Sequence, residues 1–274
     1  LSSVPAETVI SPTGRFSLGT EALIKGGKSP AGLTGAMTIW ARIGELFADG
    51  AEAVGTALAG IRDAVQRITN TEARRQVAFT ISMIALSAKM AKADGIVTPD
   101  EVEAFQQIFT IPQGEERNVS RIYNLAKSDI AGFEAYAGNV ARLFPDNTDN
   151  RGLLEDILDG LFHIAKADGI VHERELSYLQ RVSEIFGLNE TEFARLSERH
   201  AVIAGEGDPY LVLGADRDWD FQTLKKHYRK LVAENHPDRL LARGLPEEFI
   251  RIATERVSAI NSAWDAIERM RGGK

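Results

Sequence analysis

"AKADGIVTPDE" occupies residues 91–101 and "AKADGIVHERE" residues 165–175, so seven identical residues recur at a spacing of 74. Each copy follows an apolar helical stretch, Phe79 to Met90 in one case and Leu153 to Ile164 in the other, and each precedes a second amphipathic stretch. The spacing predicts two helix–turn–helix units. Gly95 and Gly169 suit the left-handed conformation that ends a helix, and Asp94 and Asp168 can bond nearby backbone. Ile-Val then crosses the core. Thr98, Pro99 and Glu101 fit the N-cap, N1 and N3 positions of a capping box, and His172 and Glu175 take the cap and N3 positions in the second copy.

The acids admit two readings. Asp94 with Glu101 and Asp168 with Glu175 could converge on a divalent cation, one per repeat. Capping alone also accounts for the glutamates. Two carboxylates are too few for a calcium cage without added carbonyls and water, and the EF-hand spacing of acids is absent.

Beyond the two repeats, helical periodicity predicts helices over 72–92, 98–110, 114–127, 130–143, 151–166, 172–187 and 189–203. Asp146, Asn147, Asp149 and Asn150 make a polar break between the halves. No alternating strand pattern occurs, so the expected class is all-α. The region 72–204 resembles the TerB-like fold, a helical domain of two pseudo-repeated halves that each carry the "ADG…E" pattern.

Composition narrows the function. The chain has 274 residues, 44% hydrophobic and 26% charged, which is enough for two domains with real cores. It contains no cysteine, which excludes disulfides, thiol chemistry and cysteine-ligated zinc, and fits a reducing, cytoplasmic setting. A net charge of −7 argues against a general nucleic-acid binder.

Residues 1–36, rich in Gly, Pro, Ser and Thr, read as a disordered extension that lacks the pattern of a secretory signal. Residues 37–71 read as an amphipathic N-terminal segment. Within 37–61, Arg42, Glu45, Asp49 and Glu52 interrupt a run that would need about 20 apolar residues to span a bilayer. Ile39, Trp40, Ile43, Leu46 and Phe47 nevertheless form a stripe at helical spacing. A surface helix and a helix lying on the inner face of a membrane are both consistent with it.

"GEGDP" (205–209) reads as a linker that opens a last unit over 206–274, with Asp208 as N-cap and Pro209 at N1. A short turn, "YLVLGA", follows. Asp220 can cap a helix whose stripe is Phe221, Leu224, Tyr228 and Leu231. A further helix opens with Pro246 at N1 and buries Phe249, Ile252, Val257, Ile260, Trp264 and Ile267. The expected result is two antiparallel helices joined by a loop over His236–Leu245.

On the first of these helices, Lys225 and Arg229 lie at i,i+4, as do Lys226 and Lys230, and no acid shares the face until Glu234. Like charges at that spacing cost a few tenths of a kcal/mol, roughly, per pair, so the face suits an acidic partner. Pro237 lacks an N–H and pushes His236 toward an extended conformation. Asp238 is then available to pair with Arg239 or with an arginine on a partner. A hydrolase built on His236 and Asp238 is disfavoured, because no nucleophile or third ligand accompanies them.

"DPYLVLGA", "LKKHYRKLVAENHPDR" and "AINSAWDAI" are similar to the J domain of the DnaJ (Hsp40) family over about 206–271. The resemblance implies a non-enzymatic co-chaperone that activates the ATPase of an Hsp70 such as DnaK. It also implies roles by position. His236, Pro237 and Asp238 would form the essential tip, and Lys225, Arg229, Lys230 and Arg239 would face an acidic Hsp70 surface. The Gly/Phe-rich segment and the zinc module of DnaJ itself are missing. The helical domain would then select clients, membrane sites or a second copy of the chain. The competing expectation places the activity in the TerB-like repeats, through metal or membrane binding.

Overall fold

The computed structural model describes residues 39–48, 62–63, 65–94, 105, 108–109, 111, 114–129, 131–144, 148–167, 169, 171–203, 207–242 and 245–272. The expected extension over 1–36 lies outside them, as do most of the helix expected over 98–110 and the remainder of 37–61.

Among these residues the regular elements are helices, with no strand. A first group comprises α1 (Ile39–Ala48), α2 (Thr71–Asp94), α3 (Glu116–Ser128), α4 (Phe133–Leu143), α5 (Thr148–Ala165), α6 (Glu173–Ile185) and α7 (Glu190–Ile203). A second comprises α8 (Pro209–Leu213), α9 (Phe221–Glu234), α10 (Pro237–Ala242), a 3₁₀ turn (Glu247–Phe249) and α11 (Ile250–Gly272).

The axis of the first group is α2, whose residues from Val77 to Ala91 are all buried. A helix apolar all round must be enclosed, and α1, α3, α4, α5 and α6 pack around it. Its one buried cation, Lys89, is satisfied by carbonyls: Nζ donates to Ala131 O at 2.6 Å and to Asp129 O at 3.0 Å. The Tyr178 hydroxyl on α6 donates to Leu86 O of α2 at 2.8 Å, which joins the two halves of the repeat.

The stripe of α1 belongs to this core. Trp40 is 2% exposed and meets Phe109 edge-on at 6.2 Å, and Ile43 is buried beside it. The expectation that this stripe lies free or on a lipid surface is therefore corrected for these two residues. Internal packing removes them from water at about 25 cal/mol per Å² of apolar area, leaving nothing for a membrane to gain. Among the described residues no helix is long and apolar enough to cross a membrane.

In the second group, Asp208 caps α8 by accepting from Tyr210 N at 3.0 Å, and Pro209 stands at N1. Asp220 caps α9 by accepting from Gln222 N and Thr223 N at 2.9 and 3.0 Å. The stretch expected as a turn after Asp208 closes as the short helix α8, ended by Gly214 at φ 60°. Tyr210, Val212, Leu213, Leu224, Ile260, Ala263, Trp264 and Ile267 form a small core of their own. Tyr228 stacks on Trp264 at 4.8 Å and its hydroxyl donates to Asn261 Oδ1 at 3.0 Å. Phe221 is the one member of the expected α9 stripe that faces outward.

Two expectations change at the junction. The loop over His236–Leu245 contains a helix, α10, because Pro237 takes the N1 position where its missing N–H costs nothing. Pro246 does not open the long helix. It caps the 3₁₀ turn in an extended conformation (ψ 148°), and α11 begins at Ile250. Leu240, Leu245, Phe249, Ile252 and Ala253 then join the core of the first helical group rather than that of the hairpin.

Candidate functional site

The His-Pro-Asp tripeptide sits at the corner between α9 and α10. Asn235 ends α9, its N–H donating to Leu231 O. The His236 carbonyl then receives both Arg239 N at 3.0 Å and Leu240 N at 3.1 Å, starting α10. The corner is turned to solvent. The His236 side chain is 57% exposed and that of Asp238 88% exposed, with His236 Nδ1 3.6 Å from Asp238 Oδ2. Asp238 N–H donates to the same Nδ1 at 3.3 Å. Nδ1 is thereby used as an acceptor, so the Asp238 carboxylate, 3.6 Å away, receives no hydrogen bond from it and remains open to a partner.

The basic face of α9 runs up to this corner. Lys226, Arg229 and Lys230 are exposed and Lys225 half-buried. Lys230 pairs with Glu234 at 3.8 Å, and the Lys225 ammonium lies 5.9 Å from the centre of the Phe221 ring. Among the described residues no carboxylate pairs with Lys225, Lys226 or Arg229. The structure thus places His236, Pro237, Asp238 and Arg239 directly after the helix that carries the basic stripe. His236 and Asp238 are thus turned to solvent rather than enclosed.

The acids of the repeat stand differently. Glu175 is buried, and its carboxylate accepts from His172 N at 2.9 Å as the capping reading requires. Gly169 takes the left-handed conformation at φ 97°. Glu101 and Asp168, and the side chain of Asp94, lie outside the described residues. Among the described residues no three His, Asp or Glu side chains gather as metal ligands.

Sequence reasoning missed a buried charge cluster where the second helical group meets the first. Asp156 and Asp159 on α5, Arg199 and His200 on α7, and Arg256 on α11 are all enclosed. Arg256 Nε donates to Asp159 Oδ2 at 3.0 Å, its Nη2 lies 2.8 Å from the same oxygen, and its Nη1 lies 2.5 Å from Asp156 Oδ1. His200 Nε2 approaches Asp159 Oδ1 at 3.0 Å, and Arg199 Nη2 approaches it at 3.4 Å.

Burial alone would raise the Asp159 carboxyl, but Arg199, Arg256 and His200 outweigh it and hold the group well below the usual carboxylate range. Burial lowers Arg199 to about 10 and lowers His200, whereas the two aspartates overcome burial at Arg256 and raise it. Beside this cluster, Arg251 Nη2 donates to His163 Nε2 at 2.7 Å. The His163 proton must therefore sit on Nδ1, which lies 3.0 Å from the Glu255 carboxylate. The available signal was weak: acids three apart in an apolar run, "LLEDILDGLFHIA", and an arginine inside the apolar stripe of the last helix.

Comparison with known proteins agrees with this layout. Residues 80–198 match the family described as tellurite resistance protein TerB. The chain is 27% identical over 238 residues to "Co-chaperone protein DjlA" of Vibrio vulnificus, covering 74% of this chain and 82% of that protein. The proteins of the same name from Photobacterium profundum and Pasteurella multocida are each 28% identical, over 73% of this chain and 80% and 82% of theirs. No solved structure matches the chain. The chain thus carries a region similar to TerB, followed by a helical hairpin, and is similar over about three quarters of its length to relatives named DjlA.

Proposed function

We propose that the chain is a co-chaperone that stimulates the ATPase of an Hsp70 of the DnaK kind through its C-terminal J-type hairpin. The observation that carries this reading is the exposed His236–Pro237–Asp238 corner, with its open carboxylate, at the end of a helix face on which Lys225, Lys226 and Arg229 meet no carboxylate among the described residues. Support comes also from the relatives, which are named as co-chaperones. In this mechanism the stripe of Lys225, Lys226, Arg229 and Lys230 steers encounter with an acidic Hsp70 surface. Asp238 then meets an Hsp70 arginine, and Pro237 keeps the corner stiff. Hydrolysis occurs on the partner, and the TerB region supplies selection of clients, sites or further partners.

The test is single-turnover ATP hydrolysis by a cognate DnaK in the presence of the full chain. His236→Gln should remove the stimulation while leaving circular dichroism and thermal unfolding unchanged, since the imidazole is exposed and contributes no core packing. Undiminished stimulation by this variant would refute the reading.

A further inference from the structure

The hairpin does not support its working end alone. Its private core is centred on Leu213, Leu224, Trp264 and Ile267, and α10 packs on α9 and α11. At the corner further supports come from the TerB region. On one side stands Asn235, the residue before His236. Its Nδ2 donates to Leu231 O at 2.8 Å, and its Oδ1 accepts from Arg256 Nη1 at 3.4 Å. Arg256 is fixed in turn by Asp156 and Asp159 of α5. On the other side Leu240 and Leu245 are sealed into the TerB core, with Leu245 N donating to Leu240 O at 3.1 Å. Phe249 follows, packed edge-on against Phe79 of α2 at 4.8 Å. The exposed tripeptide is thus slung between two anchors, both of which end in the other helical group.

We infer that the TerB region is the scaffold that sets the conformation of the His-Pro-Asp corner, and that Arg256 is a positioning residue for it, acting through Asn235. Arg256 reaches no partner surface, being buried. It transmits the placement of α5 to the last residue of α9, and thereby fixes the angle at which His236 leaves the helix. This rests on the proposed function for its biological consequence, but its structural half does not. A corner held from both sides presents Asp238 in one arrangement, so less ordering remains to be done when a partner binds.

The experiment uses the full chain and two readouts. The first is hydrogen exchange at the Arg239 and Leu240 amides, which donate to His236 O, and it requires no Hsp70. The second is single-turnover stimulation of DnaK, separated into maximal rate and half-saturating concentration. Arg256→Met should speed exchange at both amides by about tenfold, with the α2 amides unchanged, and should lower the maximal rate several-fold.

Because Arg256→Met leaves two buried aspartates short of a cation and can compromise folding, Asn235→Ala serves as the second variant. It removes both the acceptor for Arg256 and the Nδ2 donor to Leu231 O, and should move both readouts in the same direction, whereas Asn235→Asp, which keeps only the acceptor oxygen, should restore the slow exchange. Unchanged exchange in Asn235→Ala would overturn the inference, as would faster exchange with the maximal rate intact. If the unaltered chain fails to stimulate DnaK at all, the proposed function falls, and the exchange data still decide whether Arg256 holds the corner.

Discussion

Arg256 on the last helix donates from Nε to Asp159 Oδ2 on α5 at 3.0 Å, closing a buried contact between residues 97 positions apart. This ion pair, with Asp156, Arg199 and His200 around it, ties the hairpin to the TerB region as one packed body rather than as a module on a tether.

Asp159→Ala removes the anion that several buried cations share. Breaking one side of a buried pair costs about 3–5 kcal/mol, because the partners remain enclosed without compensation. Urea denaturation should show that loss. Asp159→Leu combined with Arg256→Met should not recover the loss, because Asp156 then lacks Arg256 while Arg199 still lacks Asp159.

Acid should loosen the same contact through His200. Burial holds the folded imidazole below its ordinary value of 6.5, against the pull of Asp159 and with Lys166 and Arg199 adding repulsion. Below 6.5 the unfolded chain takes up a proton that the folded chain refuses, so stability is full above that value and falls as pH drops beneath it. Asp159 adds a loss only in stronger acid, below its unfolded value. The urea midpoint should decline between pH 7.5 and pH 5.5, values chosen to bracket the unperturbed histidine range of about 6.5. His200→Gln, which keeps a donor for Asp159, should flatten that decline.

Gly160 on α5 is a place where the usual helix rule reverses. Alanine in a helix interior ordinarily gains about 0.5–1 kcal/mol over glycine. Here an added Cβ would meet Phe249 Cζ at 2.7 Å and Met83 Cε at 2.8 Å. Gly160→Ala should therefore destabilise by about 1–3 kcal/mol through overpacking, read by thermal unfolding. It should also disturb the anchor beside the corner.

Reversing charge on α9 tests steering. Lys225→Glu with Arg229→Glu should slow association with ATP-bound DnaK, and the deficit should shrink between low salt and about 0.5 M salt as the Debye length contracts to a few Å. Stopped-flow association rates decide it. Equal deficits at both salt concentrations would speak against long-range attraction.

Much of this architecture was legible in the chain. The duplicated "AKADGIV" marked the two halves, and the apolar periods of α2, α5 and α9 placed their helices to within a few residues. Asp208, Asp220 and Glu175 announced caps that the structure contains. The His-Pro-Asp corner was readable because its physics is local: a proline, a neighbour forced extended, and a one-signed helix face. What stayed hidden was long-range. Nothing local marks Asp156 and Asp159 as buried, since α7 and α11 are what cover them, and Leu240 and Leu245 looked like loop residues although their partners lie in the other helical group. The same reason changes how the last unit is regarded. A fragment of residues 206–274 would expose Leu240, Leu245, Phe249 and Ile252, so assays belong on the full chain.

The absence of cysteine allows the proposed contact to be mapped directly. Ala242→Cys, on the exposed end of α10, and Ser177→Cys, on the exposed face of α6, each create a single thiol in otherwise unaltered surroundings. With a short thiol-to-amine crosslinker and ATP-bound DnaK, the account predicts efficient coupling from position 242 and none from 177, and loss of the coupling when Asp238→Asn is added. Coupling from 177 with none from 242 would contradict it.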